Sequence, residues 1–136
     1  MPSTIRVRRP VFEAILDQAR QNSLAECCGL LAGTGGAITN AFPAVNVAGN
    51  PATGYEIAPE EIVRCMREMR SLGLGFLGIY HSHPKGENAP SPRDVERAYY
   101  SEEAYFILSP LPDAAKPVRA FRIRDCAVVE LTIEIL

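Results

Sequence analysis

Long hydrophobic runs are absent from this chain of 136 residues, and no window approaches the 18 consecutive apolar residues of a membrane span. The first nine residues are not followed by an apolar stretch, so we expect no signal peptide. The chain is also too short for an eight-fold β/α barrel, which needs about 250 residues. The barrel hydrolases with paired histidines are therefore excluded.

The cysteines show no spacing that indicates a disulfide framework. Two of the four, Cys27 and Cys28, are adjacent, and Cys65 and Cys126 stand far apart. We interpret them as small buried thiols in a reducing compartment. This pattern predicts a cytoplasmic protein.

An excess of charge of one sign is also missing. The 14 Lys and Arg residues nearly balance 16 Asp and Glu residues, for a formal net charge of −2, whereas a nucleic-acid-binding protein usually carries a basic footprint. Apolar residues make up 47% of the chain, which is ordinary for a globular protein. The length and composition predict one domain over residues 1–136 with a core of its own.

Three segments have helical signals. The first starts near Pro10, and its apolar face comprises Val11, Ile15, Leu16 and Ala19. The second opens at residues 59–61 and closes at Gly73, with an inner face of Ile62, Met66, Met69 and Leu72. A third helix is expected at about 91–99.

The remaining apolar segments are typical of strands. We expect a buried strand at 27–32, a turn at 33–36, a return strand at 37–48 and a short extended piece at 55–57. The continuous apolar run at 74–80 predicts a central strand buried on both faces. Alternating runs at 104–108, 118–123 and 127–135 complete the set. Because helices and strands mix without a strict βαβ rhythm, the chain predicts a mixed sheet with helices packed on it.

The two histidines of the chain, His81 and His83, directly follow the apolar run at 74–80. Residues i and i+2 of an extended chain point to the same side, so two imidazoles at a strand end can converge on one ion. A pair of packed or surface histidines has the same spacing. The pair alone therefore does not decide between the two interpretations.

A helix start lies shortly after the histidines. Seven residues separate His83 from Ser91, and two more separate Ser91 from Asp94. Serine at N-cap, proline at N1 and an acid at N3 begin a helix without any further role. Capping and metal ligation can coexist, however, because a short loop ties Asp94 to the histidines.

Two histidines and one aspartate would supply three protein ligands and leave a fourth position open, which is typical of a catalytic zinc site. Water in that position has a pKa of about 7 and needs a base. The candidates include Glu26, Glu56 and Glu87. Glu26 is favoured because it precedes a buried strand, where an unpaired carboxylate is costly, although it could also be an exposed acid in the connection.

Together these residues resemble the JAMM (MPN+) zinc metalloprotease family. The family motif consists of a Glu before a Cys-Gly-Leu-Leu strand, a His-Ser-His-Pro segment, and a Ser and an Asp at fixed spacing after it. The chain matches this motif without a gap or substitution at Glu26, His81, His83, Ser91 and Asp94. The Tyr-Glu-Ile-x-Pro-Glu-Glu segment and the strand into the histidines are similar to small stand-alone bacterial members. The resemblance covers roughly residues 8–125.

The resemblance implies a fold and a set of roles. The fold would be an MPN domain, an α/β mixed sheet sandwiched by helices and related to cytidine deaminases. His81, His83 and Asp94 would bind Zn²⁺, and Glu26 would be the general base that later returns its proton to the departing amine. Ser91 would hydrogen-bond the tetrahedral oxyanion. The reaction would be hydrolysis of an amide or isopeptide bond.

Zinc deaminases are a rival that the sequence excludes. They need a His-x-Glu motif and a Pro-Cys-x-x-Cys pair, and the chain has neither. Cys27 and Cys28 are adjacent, so we expect them on opposite faces of a strand.

The expected substrate rests on the resemblance alone. Family members that read ubiquitin chains carry long insertions with extra Cys and His ligands, and none follows Asp94 here. Small bacterial members are similar to enzymes that trim residues after the Gly-Gly tail of ubiquitin-like sulfur-carrier proteins. We therefore expect such a carrier as partner, with no nucleic acid and no membrane. The sequence leaves the oligomeric state open.

Three alternatives stay open. A general deconjugase of ubiquitin-like modifiers would use the same residues. The DNA-repair-associated RadC family shares a His-x-His-Pro-x-Gly loop, and Arg64, Arg67 and Arg70, joined by Arg93 and Arg97, could meet phosphates, although a solvated helix end is the simpler interpretation. A non-catalytic MPN scaffold would lack the metal ligands that this chain keeps.

Overall fold

The computed structural model describes residues 3–136. Within them lie three helices, α1 (Arg9–Gln21), α2 (Pro59–Ser71) and α3 (Pro92–Glu96). The strands of the same range are β1 (Thr4–Val7), β2 (Cys28–Thr34), β3 (Ala37–Ala44), β4 (Gly75–Ser82), β5 (Ala104–Leu108), β6 (Val118–Arg124) and β7 (Ala127–Ile135). None of the described helices has the length and apolarity needed to cross a bilayer.

The strands form one mixed sheet that closes on itself in the order β1-β3-β2-β4-β5-β6-β7. The central strands β4 and β5 run parallel, and β2 lies antiparallel to both β3 and β4. β1 closes the ring by pairing in parallel with β3 on one side and β7 on the other. The sequence does not predict β1, because an alternating pattern of four residues is too short to distinguish from a loop.

Two apolar clusters occupy opposite faces of the sheet, since successive strand residues point to opposite sides. Leu31 and Tyr80 belong to the cluster that α1 covers, and their neighbours Leu30 and Ile79 belong to the cluster on the α2 side. The predicted inner face of α1 is buried as expected: Val11, Ile15, Leu16 and Ala19. The prediction of a mixed α/β sheet with helices packed on it is confirmed.

The inner face of α2 differs from the prediction. Leu72 follows the last helical residue and is 56% exposed, because the helical periodicity no longer applies there. Cys65 is buried in its place beside Met69, and Ile62 and Met66 pack partly buried against the same cluster.

Several element ends also differ from the prediction. The third helix ends at Glu96, and the Tyr100 amide donates to the Tyr105 hydroxyl at 3.0 Å. β3 ends at Ala44, and residues 55–57 form no strand, because side-chain hydrogen bonds hold this region, as described below. β4 runs two residues beyond the prediction, so His81 lies inside the strand.

The cysteines are free, and three of them are buried as predicted: Cys27, Cys28 and Cys65. Cys27 and Cys28 lie in opposite apolar clusters, which confirms the expected alternation. Cys126 is exposed, so the prediction of a buried thiol is wrong there. It lies between β6 and β7 with a φ of 65°, next to Asp125 with a φ of 50°, as a tight two-residue hairpin turn requires.

Candidate metal centre and active site

The end of β4 places two imidazoles on the α2 side of the sheet. His81 follows Ile79 by two residues and His83 follows His81 by two, so all three point to one face. His81 is only 1% exposed, and the Nε2 atoms of the two imidazoles are 3.1 Å apart. The structure thus brings together the two histidines that the sequence singled out.

The first turn of α3 brings a carboxylate to the same point. Ser91 is the N-cap, and its hydroxyl accepts from the Asp94 amide at 3.1 Å while Asp94 Oδ2 accepts from the Ser91 amide at 3.0 Å. Asp94 Oδ1 lies 3.3 Å from His81 Nε2, and Oδ2 lies 3.0 Å from His83 Nε2. The Asp94 carboxylate therefore caps the helix and faces both imidazoles.

The spacing of these donor atoms fits a metal ion. Ligands at 2.0–2.1 Å from a tetrahedral zinc ion are about 3.3 Å from one another. The distances between the three donor groups of His81, His83 and Asp94 are 3.0, 3.1 and 3.3 Å. Two imidazole nitrogens and a carboxylate oxygen also form a donor set that suits Zn²⁺.

Neighbouring groups orient both imidazoles. The Glu87 carbonyl accepts from His83 Nδ1 at 2.8 Å and so orients the ring with Nε2 towards Asp94, where Nε2 would offer its lone pair to a metal ion in place of its hydrogen bond to Asp94. The Tyr55 ring stacks on His81, with centroids 4.3 Å apart and planes inclined by 19°. In the sequence, Tyr55 belongs to the extended piece and to the segment that resembles bacterial family members, and neither predicts its place in the site.

Glu26 lies beside the donor cluster. It is two residues before Cys28, which pairs with His81 across the β2–β4 ladder, so its side chain projects to the same face as the imidazoles. Its carboxylate and both imidazoles offer ligand atoms within 4.8 Å of one another. Glu26 is 6% exposed, and its Oε1 is buried without a hydrogen-bond partner among residues 3–136. An exposed acid in the connection is therefore excluded.

The two acids of the site have opposite pKa shifts. Burial raises the pKa of Glu26 to about 7, because the ionised form loses its hydration. Burial also acts on Asp94, but hydrogen bonds from His81 and His83 outweigh it and hold the pKa of Asp94 well below its usual range. Burial lowers the pKa of His81, while hydrogen bonds to Asp94 and to the Glu87 carbonyl raise that of His83.

Two side chains that the sequence analysis did not single out hold the main chain around Glu26. Asn46 Nδ2 donates to the carbonyls of Glu26 and Gly54 at 3.0 Å each, and its Oδ1 accepts from the Ala48 and Glu56 amides at 3.0 and 3.1 Å. All four hydrogen bonds of this amide are made. No periodicity marks such a residue in a sequence.

The second of these side chains is Ser82, which lies between the two histidines and points to the other side of the strand. Its hydroxyl accepts from the Cys27 amide at 2.9 Å, and its own amide donates to the Cys27 carbonyl at 3.1 Å. These bonds fix the end of β4 against the residue that follows Glu26.

A cavity of about 320 Å³ opens next to Asp94. Its apolar lining comes from Tyr55, Ile57, Ile62, Ile79, Tyr99, Tyr100 and Tyr105, and its polar and glycine lining from Gly54, Glu56, Arg93, Asp94 and Arg97. It extends the site between the segment around Tyr55 and the end of α3.

The other acids considered from sequence lie outside the donor cluster. Glu56 lines the cavity and is exposed, and Glu87 is exposed and contributes its carbonyl to His83. On α2, the Arg64 guanidinium lies 3.8 Å from Glu61 and 3.6 Å from Glu68, so part of its charge is already neutralised. This pairing argues against the hypothesis that Arg64, Arg67 and Arg70 of that helix bind phosphates.

Comparison with known proteins identifies the family. Residues 8–124 match the family model for prokaryotic homologs of the JAB domain, Prok-JAB. The chain belongs to this family. The predicted membership in the JAMM/MPN metalloproteases is thereby confirmed, and with it a hydrolase of the peptidase type.

Curated relatives are consistent with this assignment. The chain is 41% identical to the desampylase of Haloferax volcanii over 72% of this chain and 75% of that protein. It is 30% identical to the CysO-cysteine peptidase of Mycobacterium tuberculosis over 96% of this chain and 90% of that protein.

Solved structures share the fold. A protein from Desulfitobacterium hafniense superposes with a TM-score of 0.84 at 30% identity, over 97% of this chain and 92% of that one. A JAB1/MPN domain protein from Archaeoglobus fulgidus gives a TM-score of 0.64 at 19% identity, over 97% and 99% of the two chains. The predicted MPN domain fold is confirmed.

Proposed function

We propose that this chain is a zinc-dependent peptidase or isopeptidase that trims residues after the Gly-Gly tail of a ubiquitin-like sulfur-carrier protein. The observation that carries the proposal is the cluster of His81, His83 and Asp94 donor atoms at 3.0–3.3 Å with the unpartnered carboxylate of Glu26 beside it. Relatives named for desampylation and for cleavage of CysO-cysteine support this substrate class.

The proposed ligands are the Nε2 atoms of His81 and His83 and the carboxylate of Asp94. Three protein ligands leave one position for water or substrate. When bound, the zinc ion supplies a Lewis acid that polarises the scissile carbonyl and makes hydroxide available at neutral pH. Asp94 is suited to ligation because its low pKa keeps it ionised across the working pH range.

Glu26 is the proposed general base. Its carboxylate takes a proton from the attacking water and then gives that proton to the departing amine, so no net charge accumulates on the residue over the cycle. A raised pKa suits both transfers, since the carboxylate is more basic than an exposed glutamate and its acid form is available at neutral pH. Glu26 is 6% exposed, so its carboxylate has little contact with bulk water.

Ser91 is the proposed oxyanion donor. Its oxygen accepts from the Asp94 amide, which leaves the hydroxyl proton free to donate. A hydrogen bond from this proton to the developing oxyanion would be formed only as the tetrahedral species appears, and such donors act mainly on kcat.

A general deconjugase of ubiquitin-like modifiers is the second candidate. It requires the same residues, and the desampylase relative at 41% identity favours it. We further propose a single MPN domain over residues 1–136 that acts in the cytoplasm without a nucleic-acid or membrane partner. The buried free thiols Cys27, Cys28 and Cys65 support a reducing compartment.

The test is a mass-spectrometric assay of the zinc-loaded protein and its Glu26→Ala variant. Each is incubated with a sulfur-carrier protein extended by one residue past Gly-Gly, and with lysine-linked ubiquitin. The proposal predicts loss of the extra residue from the carrier with wild type alone. Cleavage of linked ubiquitin as well would assign the general deconjugase, and cleavage of neither substrate by zinc-loaded wild type would contradict the proposal.

A further inference from the structure

The cavity beside Asp94 carries two guanidinium groups that the proposed chemistry does not use. Arg93 and Arg97 are one helical turn apart at α3, so both extend from the same face of the helix. Both line the cavity together with Asp94. Neither has an ion pair within 4.0 Å among residues 3–136, whereas Arg119 and Arg124 bind Glu130 and Glu102 elsewhere on the surface.

Arg93 and Arg97 are both exposed, and Arg93 also lies against the backbone at Gly54. Its Nη1, Cζ and Cδ atoms lie 3.1, 3.6 and 3.9 Å from the position that a Cβ atom on Gly54 would occupy. The guanidinium therefore lies along the Gly54 backbone, beside Tyr55, and a larger residue at position 54 would displace it. Asn46 Nδ2 donates to the Gly54 carbonyl at 3.0 Å and so fixes that segment.

The ionisable groups that line the cavity carry no net charge by themselves, and a bound divalent ion would make the cavity favour an anion. Two of its lining groups are cationic, Arg93 and Arg97, and two are acidic, Glu56 and Asp94. Asp94 is already engaged by His81 and His83, and the carboxylate of Glu56 has no cation within 4.0 Å among the described residues. With a divalent ion in the site, the net charge beside the scissile bond is positive.

We propose that Arg93 and Arg97 bind the free α-carboxylate of the residue that is released. The carboxyl carbon of a one-residue extension lies two covalent bonds, about 2.5 Å, beyond the scissile nitrogen, so it stays close to the site. A lysine isopeptide has no free carboxylate there, and a longer peptide has an amide. The arginine pair therefore selects carriers extended by a single residue, a specificity that rests on the proposed function.

The test compares two substrates that differ in one group. A ubiquitin-like carrier ending in Gly-Gly-Ala is prepared as the free acid and as the C-terminal primary amide, with a lysine isopeptide of the same carrier as a third substrate. kcat/KM is measured for zinc-loaded wild type, Arg93→Gln, Arg97→Gln and the double variant. Arg67→Gln, an exposed arginine of α2 outside the cavity, is the matched control.

Wild type and the control should cleave the acid about tenfold faster than the amide, which is the effect of one partly exposed charge-assisted pair. The double variant should bring this ratio close to one by slowing the acid alone. The inference is overturned if the kcat/KM ratio of acid to amide is near one in wild type, or if the tenfold ratio survives in the double variant. In either case cleavage of the carrier still upholds the proposed function. An equal fall for all three substrates in the double variant would mean that the arginines act on an acidic group of the carrier or on the charge of Glu26, and it would also overturn the inference. Cleavage of no substrate overturns the function and the inference together.

Discussion

Two carboxylates share one site but belong to segments of different construction. Asp94 lies in the first turn of α3, where the Ser91 amide and both imidazoles hydrogen-bond its oxygens. Glu26 lies before β2, where its main chain is held on both sides and its Oε1 has no partner among residues 3–136. The pKa of Asp94 is lowered and that of Glu26 is raised to about 7.

The difference supports the proposed roles of Asp94 as a ligand and Glu26 as a base. A carboxylate that stays ionised and faces two imidazoles is suited to hold a cation, while a desolvated carboxylate that titrates near neutral pH is suited to move protons. Proximity alone does not separate them, since Glu26 also lies within 4.8 Å of both imidazoles. The surroundings of each acid, rather than its distance from the histidines, support the division of roles.

Removing an imidazole should have the largest effect. His81→Ala takes away one proposed ligand and one of the two imidazole partners of Asp94, so we expect loss of bound zinc and a fall in kcat/KM of roughly a thousandfold or more. Metal analysis and the carrier-trimming assay measure both. Tyr80→Phe alters the other face of the same strand and should retain zinc and turnover. Zinc retention in His81→Ala would contradict the ligand role.

The next effect should come from Ser91. Ser91→Ala removes the proposed oxyanion donor and the side-chain cap of α3, and we expect kcat to fall about a hundredfold while stability falls by about 1 kcal/mol. Ser91→Thr keeps the hydroxyl and should restore most of both. If Ser91→Ala loses stability alone, with kcat unchanged, the hydroxyl is only a cap.

A smaller effect is expected from the amide that holds the Glu26 segment. Asn46→Asp replaces the two N–H donors that face the Glu26 and Gly54 carbonyls with an oxygen. We expect kcat to fall about tenfold, with KM and zinc content little changed, because the base is displaced and the ligands are not. Asn22→Asp, which removes one exposed bond to the Gln18 carbonyl, is the matched control. If zinc content falls by the same factor as kcat, Asn46 supports the ligands instead.

The last effect concerns the stability of the metal-free protein and not turnover. Since burial raises the pKa of Glu26 to about 7 in the folded state, its stabilising contribution is complete below the unfolded pKa of about 4.5 and is lost as pH rises through 7. Glu26→Gln should therefore stabilise the metal-free protein by about 2 kcal/mol more at pH 8 than at pH 5. Urea unfolding with chelator measures this, with the exposed Glu13→Gln as control. Equal effects at both pH values would contradict a buried, desolvated Glu26.

The sequence predicts the local parts of this molecule well, because they depend on short-range rules. The helical period identifies the buried face of α1, a continuous apolar run identifies β5, and alternation identifies β6 and β7. The motif spacing also indicates that His81, His83 and Asp94 meet, since strand alternation and a short loop suffice to bring them together.

The missed features depend on long-range contacts. β1 is defined by pairing with β3 and β7, which no local pattern reports. Tyr55 reaches His81, and Asn46 reaches Glu26, only because the closed sheet brings distant segments together. Leu72 is exposed although it continues the apolar pattern, since the helix ends one residue before it.

The most direct test of the division between the two acids compares their isosteric amides, Asp94→Asn and Glu26→Gln. Zinc per chain and carrier trimming are measured side by side at neutral pH. We predict that Asp94→Asn loses both zinc and turnover, while Glu26→Gln keeps about one zinc per chain and loses turnover by about a hundredfold or more. Loss of zinc from Glu26→Gln to the same extent as from Asp94→Asn would contradict the account, because Glu26 would then be a ligand and not the base.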